Sequence, residues 1–151
     1  MRTRVDLLKA TDRAWQVLRH DLHRRLDDAV RGAGSWPFLL EVEAPERDES
    51  PCAPYVQVMP SADGLRAEVS SDHFLHPRHW LDAGQLRSLA AHGWSAPDAT
   101  CPNHWREVRA ATAAEVAHAM VSALRDVFGV VHPAFLVDAL DVVADDEPAR
   151  P

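Results

Sequence analysis

The chain has 151 residues, 46% of them hydrophobic, and a formal net charge of −7 at pH 7. One domain is expected at this length, able to bury about 68–70% of its unfolded surface, so neither disulfides nor a structural metal is needed for a core. The acidic balance argues against a dedicated nucleic-acid binder, whose affinity rests on phosphate neutralisation, and no apolar run approaches the length of a membrane-spanning helix.

In chain order, residues from about Thr3 to Arg31 read as one long amphipathic helix. Val5, Leu8, Trp15, Leu18, Leu22, Leu26 and Ala29 recur at helical spacing. Asp12 interrupts the stripe, so the first two turns are expected to fray or form a separate piece. Arg24, Arg25 and Arg31 suit the negative pole of the helix, and Gly32 and Gly34 stop it. A strand with one wet side follows, with Phe38, Leu40 and Val42 opposite Glu41 and Glu43, and with Trp36 and Pro37 at its start. Residues 44–54 are an acidic, proline-punctuated loop. Next comes a β-hairpin: Val56 and Val58 alternate with Tyr55, Gln57 and Met59, and Leu65, Ala67 and Val69 alternate with Arg66, Glu68 and Ser70. Pro60 to Gly64, ending in Asp63-Gly64, supplies the turn.

Asp82 and Gln85 predict a capping box for a second helix, with Leu81 and Leu86 as its hydrophobic staple. Leu86, Leu89 and Ala90 form the expected buried stripe. Gly93 and Trp94 predict a Schellman ending. Residues 103–108 alternate weakly, as a short strand does. A third helix opens with a capping box at Thr112 and Glu115, buries Ala113, Val116, Ala117, Met120, Leu124 and Val127, and stops at Gly129. His132-Pro133 restarts a shorter helix with Phe135, Leu136, Ala139 and Leu140 on one face. The fold class is therefore α+β, a small antiparallel sheet packed against a long N-terminal helix and two or three further helices. Residues 1–143 make one domain and 144–151 an acidic disordered tail.

Candidate chemistry is sparse. Cys52 and Cys101 each neighbour a proline, and the charged start MRTRVDLLKATDRAW lacks the apolar core of a signal peptide. Two plain thiols in a cytoplasmic setting are expected. His73, His76, His79 and His104, with Asp72 and Asp82 nearby, are the one cluster with metal-ligand character. Their spacing crosses Pro77 and matches no rigid ligand scaffold such as H-E-x-x-H, so half-exposed loop histidines are the plainer account. Ser70-Ser71-Asp72-His73 reads as a turn, because a hydrolytic triad is assembled from distant positions. Glu41, Glu43 and Glu68 fall on the wet side of strands, where solvation explains them. No phosphate-binding glycine loop occurs, and no catalytic residue, metal or cofactor is assigned. Tyr55, Gln57 and Met59 stand out: left uncovered, that face would be an adaptable apolar surface suited to peptides. Alternation does not say which face a helix takes.

The run from Gly64 to Leu75, GLRAEVSSDHFL, together with Leu89 to Trp94, Pro97 and Asn103-His104-Trp105, resembles actinobacterial TY-Chap domains, which are related to type III secretion chaperones and YbjN-like proteins. The similarity covers about Leu8 to Val130. It implies a non-enzymatic domain that binds extended peptide segments of a partner protein, often as a homodimer. The expected contact surface is Tyr55, Gln57, Met59, Arg66 and Glu68. The alternatives are a small metal-dependent enzyme built on the loop histidines, or a structural subunit of a complex.

Overall fold

A computed structural model describes residues 3–32, 38–43, 53–62 and 64–138. The expectations for Trp36, Pro37, Cys52, Asp63, Ala139, Leu140 and the acidic tail lie outside the described residues. Helix α1 spans Arg4–Val30 and starts with a capping box between Thr3 and Asp6. It is one unbroken helix of 27 residues, about 40 Å long at 1.5 Å per residue. Its inner face is buried only from Trp15 onward, through Leu22, Leu26 and Ala29. Val5 and Leu8, expected on the buried stripe, are 57% and 58% exposed. Asp12 does not break the helix; it accepts from Arg125 Nη2 at 2.7 Å. Arg24 and Arg25 fall short of the last turn and serve other partners. Arg24 and Arg25 pair with Asp21, and Arg25 also reaches Asp138 at 2.9 Å and lies over the Phe38 ring. Gly32 has φ +73°, the left-handed conformation that ends the helix.

Strands β1 (Phe38–Val42), β2 (Tyr55–Ser61), β3 (Gly64–Val69), β4 (His104–Val108) and β5 (Leu136–Asp138) form one antiparallel sheet in the order β4-β3-β2-β1-β5. β2 continues through Pro60 to Ser61, so the hairpin turn is tighter than the sequence predicts: Ser61 pairs with Gly64. Within this hairpin Pro60 stands opposite Leu65 of β3. Period-two alternation sends Phe38, Leu40, Val56, Val58, Leu65, Ala67, Val69 and Val108 to one face, where they share a single core with the buried residues of the helices.

Helix α2 (Ala83–Ala91) has the expected Asp82/Gln85 capping box. Trp94 N–H reaches Leu89 O and Gly93 N–H reaches Ala90 O, with Gly93 at φ +84°, which is the Schellman ending. Its stripe is narrower than expected: Leu89 is buried, whereas Leu86 is 42% exposed and Ala90 is exposed. Helix α3 (Ala113–Ser122) buries the whole predicted stripe and runs into a π-helical turn over Ala123–Val127. The Thr112/Glu115 capping box does not form. A one-turn 3-10 helix, Ala110–Thr112, precedes α3, so Thr112 Oγ1 accepts from Arg109 N–H instead. Glu115 faces Arg106 at 3.4 Å.

The predicted C-terminal helix is also corrected. Pro133–Phe135 makes a single 3-10 turn, Phe135 is 51% exposed, and Leu136–Asp138 pairs with β1 as an edge strand. Glu43 N–H donates to Phe135 O at 2.7 Å. These backbone bonds to β1 outweigh a short apolar run whose helical and extended readings are equally good. Among the described residues, no helix is long and apolar enough to cross a membrane.

Candidate functional site

The outer sheet face follows from register. Tyr55, Gln57 and Met59 on β2 point away from the core, and Gln57 stands opposite Glu68 and Met59 opposite Arg66. Leu39 flanks Gln57 and Glu41 flanks Tyr55 from β1; Trp105 flanks Glu68 and Glu107 flanks Arg66 from β4. The five residues singled out in the sequence are thus brought together on one surface. The buried residues of α1, α2 and α3 all join the core on the opposite face, and Arg106 on that inner side donates to His92 O at the end of α2. Tyr55, Gln57, Met59 and Arg66 are half-buried.

Glu68 is not the solvated carboxylate the alternation implies. It is 5% exposed. A buried charge must be compensated where it stands, and three donors do this. Gln57 Nε2 and Asn103 Nδ2 donate to Oε1 at 3.2 and 3.0 Å, and Arg66 Nε donates to Oε2 at 3.3 Å. Asn103 is the residue that sequence reasoning missed. It also donates to Tyr55 Oη at 3.1 Å and accepts from Ser71 N–H at 3.2 Å, so its amide is used on both ends. Its only signal in the sequence was its place in the family-like run Asn103-His104-Trp105. Ser70 Oγ adds a clasp by accepting from Tyr55 N–H at 3.0 Å.

The remaining candidates fall into structural places. Ser71 Oγ donates to Pro102 O at 2.5 Å and accepts from His73 N–H, while Asp72 accepts from Leu81 N–H at 2.8 Å. The bond from His73 N–H to Ser71 Oγ is the local bonding expected of this turn, whereas the bonds to Pro102 and Leu81 tie it to other segments. Cys101 is fully buried; burial pushes its thiol pKa up, opposed first by the Asn103 N–H hydrogen bond, with the weaker effects of Glu68 raising it and of Arg66 lowering it. That is the reverse of the activation a nucleophilic thiol needs. His76 caps the 3-10 turn Pro77–His79 and His79 is its last residue, whereas His73 and His104 lie by a separate groove. Among the described residues, no three His, Cys, Asp or Glu side chains are grouped to hold a metal ion.

Two measurements test this geometry. Asn103→Ala leaves Glu68 one donor short and Ser71 N–H without its acceptor, and is expected to cost about 2–3 kcal/mol in urea unfolding; a loss below about 0.5 kcal/mol, the size of an ordinary surface substitution, would contradict the network. Burial lowers the His104 pKa from 6.5, against a smaller raising effect of Asp72. The unfolded chain therefore binds this proton first as pH falls. Stability contributed by neutral His104 is complete above about pH 6.5 and is lost as pH drops towards the lower folded value. His79 is shifted the same way, by burial and then by Arg78 and His76. Comparing urea midpoints between pH 7.5 and 5.5, roughly one unit either side of the free imidazole value, should show a shallower fall for His104→Gln than for the parent chain. An equal fall would remove His104 from the account.

Against known proteins, the chain matches the family TY-Chap3, described as "T3SS (YopN, CesT) and YbjN peptide-binding chaperone 3", over residues 8–141. No curated protein and no solved structure gives a significant match. The match spans the whole described sheet and all three α-helices except the first turns of α1, and the chain belongs to the TY-Chap3 family of peptide-binding chaperone domains.

Proposed function

We propose that this protein captures an extended segment of a partner protein on the outer face of its sheet, without catalysing a reaction, and that it works in the cytoplasm. The observation that carries this is the one-sided packing of the helices. It leaves Tyr55, Gln57, Met59, Arg66 and Glu68 side by side on the other face, within a fold whose family is described as peptide-binding.

The surface suits the task. Leu39, Tyr55, Met59 and Trp105 are half-buried and surround a polar centre of Gln57, Arg66 and Glu68. Apolar side chains of a client gain contact area there, and a flexible methionine adapts to their shapes. The polar centre is already hydrogen-bonded, so little ordering is left to be done on binding. Simple strand addition at the β4 edge is hindered at Trp105. Its backbone N–H and C=O are both taken by Ser95, at 3.1 and 2.8 Å. A segment lying across the face is the mode that this arrangement favours over addition at the β4 edge.

A second reading, a subunit of a homodimer or larger assembly, draws on one specific observation. The first turns of α1 expose Val5, Leu7 and Leu8 by 53–58%, an apolar helical surface that a second chain could cover.

Met59 is the position to change, because Tyr55 takes part in the Asn103 network and Met59 has a half-buried side chain on β2. In pull-downs from cell extract, Met59→Glu is expected to lose the partners retained by the parent chain. Its thermal midpoint should stay within a few degrees, as for a surface substitution. Intact-complex mass would report stoichiometry in the same experiment. Equal capture of the same partner by Met59→Glu would remove the outer face as the binding surface.

A further inference from the structure

A groove of about 470 Å³ opens beside the sheet, between the turn after β3, helix α2 and the loop that leads into β4. Its apolar walls are Leu86, Pro97 and Pro102, and among the described residues its charged lining is Asp72 and Asp98, with no Arg or Lys. Leu86 is 42% exposed although the helical pattern places it on the buried stripe of α2; the groove accounts for it as a wall residue.

Both carboxylates accept hydrogen bonds. Asp98 is held below its usual pKa by hydrogen bonds from Thr100, first from its hydroxyl and then from its N–H. Asp72 gives one oxygen to Leu81 N–H, and neither aspartate has an Arg or Lys ion-pair partner among the described residues. His104 also lines the groove. Burial favours its neutral form, so it offsets little of this negative charge near neutral pH. His73, the other histidine there, is exposed.

An apolar wall with an anionic rim is the complement of one kind of side chain, a long alkyl stem ending in a cation. The groove also touches the proposed capture surface. Trp105 stands opposite Glu68 on the outer face, and its indole N–H donates to Asp98 Oδ2 at 3.3 Å.

We propose that this groove anchors an Arg or Lys side chain of the captured segment, its stem along Leu86, Pro97 and Pro102 and its cation between Asp72 and Asp98. The proposal rests on the peptide-capture reading and gives it a specificity: clients carry a basic residue within an otherwise apolar stretch. The chain's net charge of −7 acts in the same direction.

The test is an NMR titration of the ¹⁵N-labelled full chain with acetyl-Ser-Leu-Arg-Leu-Ser-amide, and with the same peptide carrying neutral citrulline for arginine. The arginine peptide should shift the amides of Leu86, Asp98 and His104. Citrulline, and separately Asp72→Asn, should each weaken binding about tenfold. Asn keeps the acceptor for Leu81 N–H, so the turn should survive. Leu86→Arg, at an exposed position, should fill the site with its own cation and abolish the groove shifts.

Shifts confined to Gln57, Met59 and Arg66, unchanged by Asp72→Asn, would overturn the groove assignment and leave peptide capture standing. Absence of shifts anywhere with both peptides would overturn the groove assignment, and the Met59→Glu pull-down would then decide the fate of peptide capture separately. Groove shifts produced as strongly by butylguanidine alone would make this a site for small free cations. The same shifts on concentrating the protein without peptide would make a second copy the occupant. Either result would overturn the proposal.

Discussion

A carboxylate that is 5% exposed has to be compensated where it stands, and the way Glu68 is compensated organises the outer half of this molecule. Its three donors come from β2, from β3 and from the residue just before β4. The Glu68 charge therefore ties two neighbouring strands to the approach of a third. Asn103 then carries the connection to Tyr55 at the start of β2 and to Ser71 in the turn after β3. A partly satisfied network of this kind would be worse than an apolar one, because buried polar atoms without partners lose their hydration for nothing. Here Asn103 uses both ends of its amide and both Glu68 oxygens accept. The result is a polar patch that is rigid before any ligand arrives.

That rigidity matters because the other side of the sheet has been given to the core. α1 and α3 pack together over the inner face, with Leu22, Leu26, Met120 and Leu124 fully buried, and α2 adds Leu89. One face supplies the stability and the other is left with a mixed surface. In the proposed mode of action, a client gains apolar contact along Leu39, Met59 and Trp105 and meets polar groups that are already positioned. The ordering cost then falls mostly on the client. The groove by Leu86 extends the same division of labour, with apolar area for a stem and fixed charge for a head.

Much of this was legible in the sequence. Period-two alternation in residues 55–59 and 65–69 placed Tyr55, Gln57, Met59, Arg66 and Glu68 on one face, and the register put them side by side. The punctuation of α2 was legible from Asp82, Gln85, Gly93 and Trp94, because caps are local chemistry. The resemblance to TY-Chap domains found in short runs was likewise matched by the family comparison. What failed depends on distant contacts. Glu68 looked solvated because Asn103, the donor that helps bury it, is 35 residues away. β5 looked helical because only β1 makes Leu136–Asp138 a strand. The Thr112 cap moved because the chain entered α3 through an extra 3-10 turn. Val5 and Leu8 looked buried because periodicity records an apolar stripe but not how far along the helix the core extends. Which face the helices take was open in the sequence and is a property of the packing alone.

The most direct measurement uses the chain's own methionines. Met59 lies half-buried on the outer face, whereas Met120 is fully buried in the core on the other side. With ¹³C-methyl-labelled methionine and a saturating amount of a captured client segment, the account predicts that the Met59 methyl resonance moves and the Met120 resonance stays. A saturated complex in which Met120 moves and Met59 does not would place the client on the helical side and contradict the central claim.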